Sequence, residues 1–572
     1  NHTVFQVSSK IDEKDQNVDW QSEDYSSITT DASGIHCDSS KVTIEEGNII
    51  IREAGTYVFQ GTIANGQVVV DAEDAKVWIV LNDVDITCGN SAAIYVKAAK
   101  KTIITAAAGT QNSLTDGTAY EYDDVEKEEP NACLFSKDDL VINGSGKLTV
   151  QGNFNNGIAG KNDVLIVDTE LSVTAVNHGI KGKDCICIQN GTITIKAGGD
   201  GMKTTNTEDA ERGFICIESG SYQITAGQDG IDCETCMLIQ NGIFTIQSGG
   251  GAANAVKKSS REDFGWDRDS NSNAQTTETV STKGIKAGVA LTVERGSFNI
   301  DSADDAIHTN GDIIIQDGNY AIATGDDGIH ADVNLNIDGG TIVISQSYEG
   351  LEAQYITIAE GTIDIVSSDD GLNAATGTVQ NSGRGGMDEK EDAWIAIKGG
   401  TVTINADGDG MDSNGDVEMS GGTVMVYGPT NGGNGALDYS GSFQISGGTL
   451  VAAGAQGMDQ NISSSSTQYG VNYVLSATAA ADSKVVIQAE DGTEIVAFTA
   501  EKTYQSIVFS TPAMKDGMTY TIFVNGTEQG TITQSGIATT NSSGGMGGNG
   551  FGGGQRPGGG QQDNRQNGGE IP

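Results

Sequence analysis

One short phrase recurs down this chain and constrains its fold more than any other feature. Aligned on its central aliphatic residue it reads NNGIAGK (Ile158), NHGIKGK (Ile180), GDGMKT (Met202), QDGIDC (Ile231), TKGIKA (Ile285), DDAIHT (Ile307), DDGIHA (Ile329), YEGLEA (Leu351), DDGLNA (Leu372), GDGMDS (Met411), NGALDY (Leu437) and AQGMDQ (Met458). Looser copies centre on Ile94 and Leu134. From Ile285 to Leu372 the spacings are 22, 22, 22 and 21, and gaps of 54 before Ile285 and 39 before Met411 mark insertions. Between copies lies a second phrase, as in LNIDGGTIVIS (335–345) and ITIAEGTIDIV (356–366), where two alternating strands flank a Gly turn. Three short strands per repeat predict an all-β fold, a right-handed parallel β-helix with about 22 residues per coil.

The alternation assigns faces. The central aliphatic residue points inward, and so does the small residue two positions later, such as Thr309, Ala331, Ala353 or Ala374. The residue before the centre is nearly always Gly or Ala, so either a side chain does not fit there or the backbone needs positive φ. Parallel strands stack at about 4.8 Å, so the repeats predict a rod of roughly 75 Å, stable only as a stack.

These patterns divide the chain into a parallel β-helix over 41–463 and three flanking segments. Residues 1–40 are polar and irregular, an N-terminal cap for the first coil's open edge. Residues 464–540 lose the phrase but keep alternating strands, and are expected to form a small β-domain or cap. Residues 541–572 are a low-complexity, Gly-rich tail expected to be a disordered spacer, through which a cell-surface partner is expected to act.

Composition narrows the function. With 79 Gly against 5 Pro, the chain suits strands joined by tight turns rather than collagen or a Pro-rich linker. A formal charge of −46 repels phosphate backbones, so no nucleic-acid partner is expected, and it favours cations, calcium above all. No apolar run is long enough to span a bilayer. No signal peptide opens the chain at Asn1; prior removal is favoured over a cytosolic protein, so a secreted or bacterial cell-surface location is expected. Of eight cysteines, Cys233 and Cys236 have CxxC spacing, a weak zinc signal on its own. Cys187 and Cys216 share one offset in neighbouring repeats and are in position to pair, though packing thiols are the expectation.

The chemistry is most specific where repeat positions stack into ladders. Two residues before the centre run Asn156, His178, Asp200, Asp229, Lys283, Asp305, Asp327, Glu349, Asp370 and Asp409; one residue after it run Lys181, Lys203, Asp232, Lys286, His308, His330, Glu352, Asn373 and Asp412. The face changes from basic to strongly acidic along the chain. Carboxylates about 4.8 Å apart repel by about 3 kcal/mol per pair at an effective dielectric of 20. Calcium bridging consecutive coils relieves this, because it takes carboxylate and carbonyl oxygens. Candidate ligands are Asp304, Asp305, Asp326 and Asp327, then Glu349, Asp369 and Asp370, then Asp407, Asp409 and Asp412, with Asp200, Asp229 and Asp232 further back. The competing reading is that Asp-Gly is simply a favoured turn and the acids are solvated. His308 and His330 stack on each other, read as exposed imidazoles beside carboxylates rather than as a transition-metal site.

The strings AGTYVFQGTI, GQVVVDAEDAKVWIVLNDVDITCGNSAAIYVKAA, EPNACLFSKDDLVINGSGKLTV, SADDAIHTNGD, TGDDGIHAD, SYEGLEA, SSDDGLNAA, GPTNGGNGALDYSG and SSSSTQYGV carry a resemblance over about residues 40–535. The chain resembles the carbohydrate-binding β-helix proteins of clostridia and related gut bacteria, which are similar in fold to polysaccharide lyases. The resemblance implies binding of plant-type polysaccharide, including acidic pectin-like chains, with calcium along the helix; it does not itself imply catalysis.

Three functions compete. In the first, a polysaccharide of polygalacturonate-like or cellulose-like type lies along the ridged face, held by Lys181, Lys203 and Lys286, with His308 and His330 on the same face. Trp266, beside Phe264 in the insertion 250–282, is the best aromatic platform for it. In the second, a calcium-dependent polyuronate lyase works by β-elimination with Lys203, Lys283 or Lys286 as base. Ordinary surface ion pairing of those lysines competes with that reading, and neighbouring carboxylates oppose it by raising a lysine's pKa. In the third, the rod is a structural adhesin.

Overall fold

The computed structural model describes residues 5–122, 126–255, 280–376 and 390–542. Three single-turn 3-10 helices aside, every regular element among them is a β-strand, and nearly all strands join one long mixed sheet. The chain is all-β.

The recurring phrase forms the first of three parallel ladders. Its central aliphatic residues pair in register, Ile158 with Ile180, then Met202, Ile231, Ile285, Ile307, Ile329, Leu351, Leu372, Met411 and Leu437. Backward from Ile158 the ladder continues through Leu134, Ile94, Val68 and Ile49. A second ladder runs Leu291, Ile313, Leu335, Ile356, Ile395, and a third Phe244, Phe298, Tyr320, Ile342, Ile363. The insertions leave the register intact, because Ile231 pairs directly with Ile285 and Leu372 with Met411.

Period-2 alternation turns every second residue of all three ladders inward, and the first-ladder centres from Ile158 to Leu437 are at most 1 % exposed. Each buried aliphatic side chain contributes about 1.5–3 kcal/mol relative to solvent exposure. That gain exists only when neighbouring repeats cover both edges. Four aromatic side chains interrupt the aliphatic core in the third ladder. Tyr222, Phe244, Phe298 and Tyr320 stack face to face, their ring centroids 4.5, 4.8 and 4.7 Å apart.

Crowding, not positive φ, explains the Gly before each centre. A Cβ on Gly328 would lie 2.5 Å from the Gly350 carbonyl oxygen and 2.6 Å from Ile344 Cδ1, and its φ is not positive. One copy of the phrase departs from expectation. Met458 is 49 % exposed and outside any strand, so the first ladder ends at Leu437–Tyr439.

The N-terminal stretch divides in two. Strand Tyr25–Asp31 pairs with Gly55–Ile63 and extends the sheet. Residues before it lie along the flank, where Phe5 stacks on Phe214 at 4.2 Å and Asp15 takes an ion pair from Lys101 at 2.8 Å. At the other end, strand Tyr504–Ser510 joins the third ladder antiparallel to Thr449–Gly454. Beyond it stands a four-stranded antiparallel sheet with its own apolar core around Val485, Ile487, Phe498 and Tyr520. Cys187 and Cys216, expected as packing thiols, are joined as a disulfide across adjacent second-ladder strands. The tail expected to be disordered lies outside the described residues from 543 onward, as does Trp266.

Candidate cation and carbohydrate ladder

Four of the acids two positions before a centre are not on the solvated surface where the ladder reading placed them. Asp200, Asp229, Asp305 and Asp327 are between 1 and 4 % exposed. Each sits in the turn entering a first-ladder strand, and its Oδ1 accepts the backbone N–H at the same position one repeat later. Asp229 N–H donates to Asp200 (2.9 Å), Lys283 N–H to Asp229 (2.6 Å), Asp327 N–H to Asp305 (3.1 Å), Glu349 N–H to Asp327 (3.2 Å) and Asp409 N–H to Asp370 (2.7 Å). Asn156 does the same for His178 at 3.3 Å, so the position needs a short acceptor rather than a charge. A buried N–H without a partner is costly, which is why Asp and Asn recur there.

With Oδ1 so engaged, Oδ2 meets the residues one position after the centre, which are half-buried beside it. In the basic half, Lys203 Nζ lies 2.8 Å from Asp200 and 2.5 Å from Asp232, and Lys286 lies 3.5 Å from Asp229 and 3.4 Å from Asp232. The carboxylates of Asp200, Asp229 and Asp232 do converge, but two ammonium groups already lie between them. Lys283 likewise reaches Asp304 at 2.9 Å and Asp305 at 2.7 Å. Burial works against charge on Lys203 and Lys283, but the flanking aspartates outweigh it and hold both above the usual lysine range. That opposes either acting as a base.

Lys181 differs. Burial and then the neighbouring Lys203 push its pKa down, and among the described residues no carboxylate lies within ion-pair distance of it. It lines a small pocket of about 100 Å³ with Lys161, Lys183, Asn131 and Phe135.

Toward the other end the lysines stop. His308 Nδ1 is 3.0 Å from Asp305 Oδ2, and His330 Nδ1 is 3.7 Å from Asp305, 3.5 Å from Asp327 and 3.3 Å from Glu352. Burial disfavours charge on His330, yet Asp305, Asp327 and Glu352 outweigh it and raise its pKa to about 11. Glu349 is raised by burial and then by Asp327, and Glu352 by burial despite His330. Asp370 is pushed up to about 8 by burial, then by Asp412, Asp369 and Asp409. The carboxylates of Asp370, Asp409 and Asp412 converge, as do those of Asp304, Asp305 and Asp326. Asp407 stays apart, exposed and ion-paired with Lys502 at 2.8 Å. Asp369 joins neither converging group.

Two features escaped sequence reasoning. Glu352 stands in the group with Asp327 and His330. Tyr355 and Trp394, adjacent across the insertion in the second ladder, form an outward aromatic pair with centroids 4.1 Å apart. Their shared repeat offset was the available signal. Beside them a groove of about 390 Å³ is lined by His330, Asp332, Glu352, Gln354 and Thr376, and Gln354 donates to Tyr355 Oη at 2.8 Å.

Three parallel ladders with one charge-lined face and an adjoining aromatic pair define an all-β repeat protein with a site extended along its length. The chain belongs to the carbohydrate-binding domain-containing protein family, whose sequence profile matches residues 45–328 and 328–504. A carbohydrate-binding domain-containing protein of Acetivibrio thermocellus is 44 % identical over 126 residues, which are 22 % of this chain and 44 % of that protein. The chain thus spans under half the length of that relative. The solved structure of the polysaccharide lyase-like protein from C. thermocellum, a gadolinium derivative, is 38 % identical; the match covers 40 % of this chain and 92 % of that one, with a TM-score of 0.39. No helix among the described residues is long and apolar enough to cross a membrane.

Proposed function

We propose that this is an extracellular carbohydrate-binding protein that holds an acidic, pectin-like polysaccharide along the first-ladder face, with calcium bound at the acidic end. The strand stack is read as a right-handed parallel β-helix with about 22 residues per coil, since crossovers between parallel strands of one sheet are overwhelmingly right-handed. The observation that carries the reading is one register of side chains that begins with Lys181, a cation with no carboxylate partner among the described residues, and runs on to the groove beside Tyr355 and Trp394. Lys181 supplies charge for uronate groups, and the aromatic pair supplies an apolar platform for a sugar ring. One such pair is short for a crystalline cellulose surface, which favours a soluble acidic chain.

Calcium fits the oxygen-only end of the ladder best. Asp370 and Glu349 are half-buried, and desolvation and then neighbouring carboxylates push their pKa up, so the charged forms want a cation. The lysine-filled group at Asp200, Asp229 and Asp232 has less such need. A disulfide between Cys187 and Cys216 suits an oxidising, extracellular compartment. The test is retention of labelled polygalacturonate with and without calcium. Binding strengthened by calcium, weakened by salt, and reduced at least tenfold in Lys181→Ala and in Trp394→Ala is expected. Undiminished binding by both variants would sink the assignment.

A further inference from the structure

We propose that His308, His330 and Asp305 form a binding site for a transition-metal ion of the zinc class, separate from the oxygen-only group at Asp370. His308 is 9 % exposed, and its Nδ1, though 3.0 Å from Asp305 Oδ2, is off the line of a hydrogen bond and has no other partner. Its Nε2 is engaged on the far side, 3.0 Å from Asn310 Oδ1. With that oxygen accepting from Nε2–H, the lone pair of a neutral imidazole lies on Nδ1 and faces a carboxylate. An ion between them turns that opposition into two bonds.

His330 stands at the same position one coil later, and an ion binding there displaces the proton that its carboxylates hold on it. Its Nε2 lies 3.5 Å from Asp332 Oδ1, and its Nδ1 faces Asp305, Asp327 and Glu352. Asn310 and Asp332 stand two residues after their histidines. A metal-bound imidazole ordinarily gives its outer N–H to an oxygen, as His308 does to Asn310, which fixes the tautomer. Within the trio, Asp305 Oδ2 lies 3.0 Å from His308 Nδ1 and 3.7 Å from His330 Nδ1, either side of the roughly 3.3 Å expected between ligands about 2.0 Å from a tetrahedral ion, and all three donor atoms lie within 4.8 Å of one another.

Calcium fits these spacings too, so donor chemistry decides. Two imidazole nitrogens suit zinc, cobalt, nickel or copper, whereas calcium takes oxygen. Lys283 also contacts Asp305 Oδ2 but keeps Asp304 as a second partner, so it can yield that oxygen. His330 and Glu352 line the groove beside the site, so an exchangeable position on the ion faces solvent.

The probe is cobalt(II), added to the full chain after chelation and in excess calcium, which fills oxygen-only sites. One equivalent should bind with visible ligand-field bands of a four- or five-coordinate ion, be displaced by zinc, and resist calcium and magnesium. His308→Ala and His330→Ala should each weaken binding at least tenfold, and Asp370→Asn should leave it unchanged. X-ray absorption on the zinc-loaded wild type should count two imidazole ligands, a readout that needs no variant to fold. Absence of stoichiometric cobalt in folded wild-type protein, displacement by calcium, or an imidazole count of zero would overturn the proposal. No polysaccharide enters these measurements, so their failure leaves the carbohydrate reading untouched.

Discussion

Asp305 accepts the backbone N–H of Asp327 through Oδ1 at 3.1 Å, one repeat further on, while its Oδ2 lies 2.7 Å from Lys283 Nζ and 3.0 Å from His308 Nδ1. One carboxylate thus closes a turn with one oxygen and offers the other to the charged face. Structure and site share the same residues, and they can be separated by substitution.

At Asp327 the separation is clean. Asparagine keeps the oxygen that accepts Glu349 N–H at 3.2 Å and removes only the charge. Alanine leaves a buried N–H without its partner, at a cost of about 1–3 kcal/mol. Urea unfolding should therefore find Asp327→Asn close to wild type and Asp327→Ala destabilised by that amount. Equal stability of the two would mean the side-chain ladder contributes nothing to the fold.

The inward residues respond more severely. Ile329 is fully buried between Ile307 and Leu351, so Ile329→Asp places a charge where no partner exists and should cost several kcal/mol. Reduced yield and melting far below wild type are the expected readouts.

How much of this was legible in advance follows from what periodicity encodes. A one-residue register shift would turn Ile329 outward, so the phrase alone fixed which aliphatics are buried and which repeats align. A turn lies two residues before each centre, and Asp-Gly there matches an ordinary solvated turn as well as it matches a covered acceptor. That is why Asp305 and Asp327 read as surface acids and are instead tucked under the next repeat. Met458 failed for a related reason, since no further repeat exists to cover it. The pair Tyr355 and Trp394 was hidden by the insertion between them, which breaks sequence proximity and preserves register.

The aromatic stack makes a second core prediction. Phe244 lies between Tyr222 and Phe298 at 4.5 and 4.8 Å, so truncation opens a cavity lined by flat rings that cannot collapse into it. Phe244→Ala should cost about 3–5 kcal/mol, and Phe244→Leu should cost less. Denaturant unfolding with an unchanged m-value checks both.

Removing cations should make stability depend on pH in a particular direction. In chelator, Asp370 titrates near 8 in the folded chain, against about 4 when unfolded. Between those values the folded state holds the proton and the unfolded state does not, so stability falls as pH rises. The contribution is full below about pH 4 and lost by about pH 8; Glu349 and Glu352, also raised, act in the same sense. Melting in chelator should drop by several degrees from pH 5 to pH 8, and calcium should flatten the slope, magnesium much less. A chelated protein that melts at one temperature across this range would contradict the buried-carboxylate account.

Whether the chain also cleaves what it binds is decided by the lysines. β-Elimination from a polyuronate needs a neutral amine within reach of the proton next to the carboxylate. Lys203, 2.5 Å from Asp232 and 2.8 Å from Asp200, and Lys283, 2.7 Å from Asp305, are held as ammonium ions by those partners. Lys286 shares Asp229 and Asp232. Incubation with polygalacturonate and calcium should therefore show retention of the polymer without the ultraviolet absorbance of an unsaturated uronide. Steady growth of that absorbance, abolished by Lys203→Ala, Lys283→Ala or Lys286→Ala, would mean that a bound cation takes the aspartates and frees a lysine for catalysis, and the binding-only account would give way to a lyase.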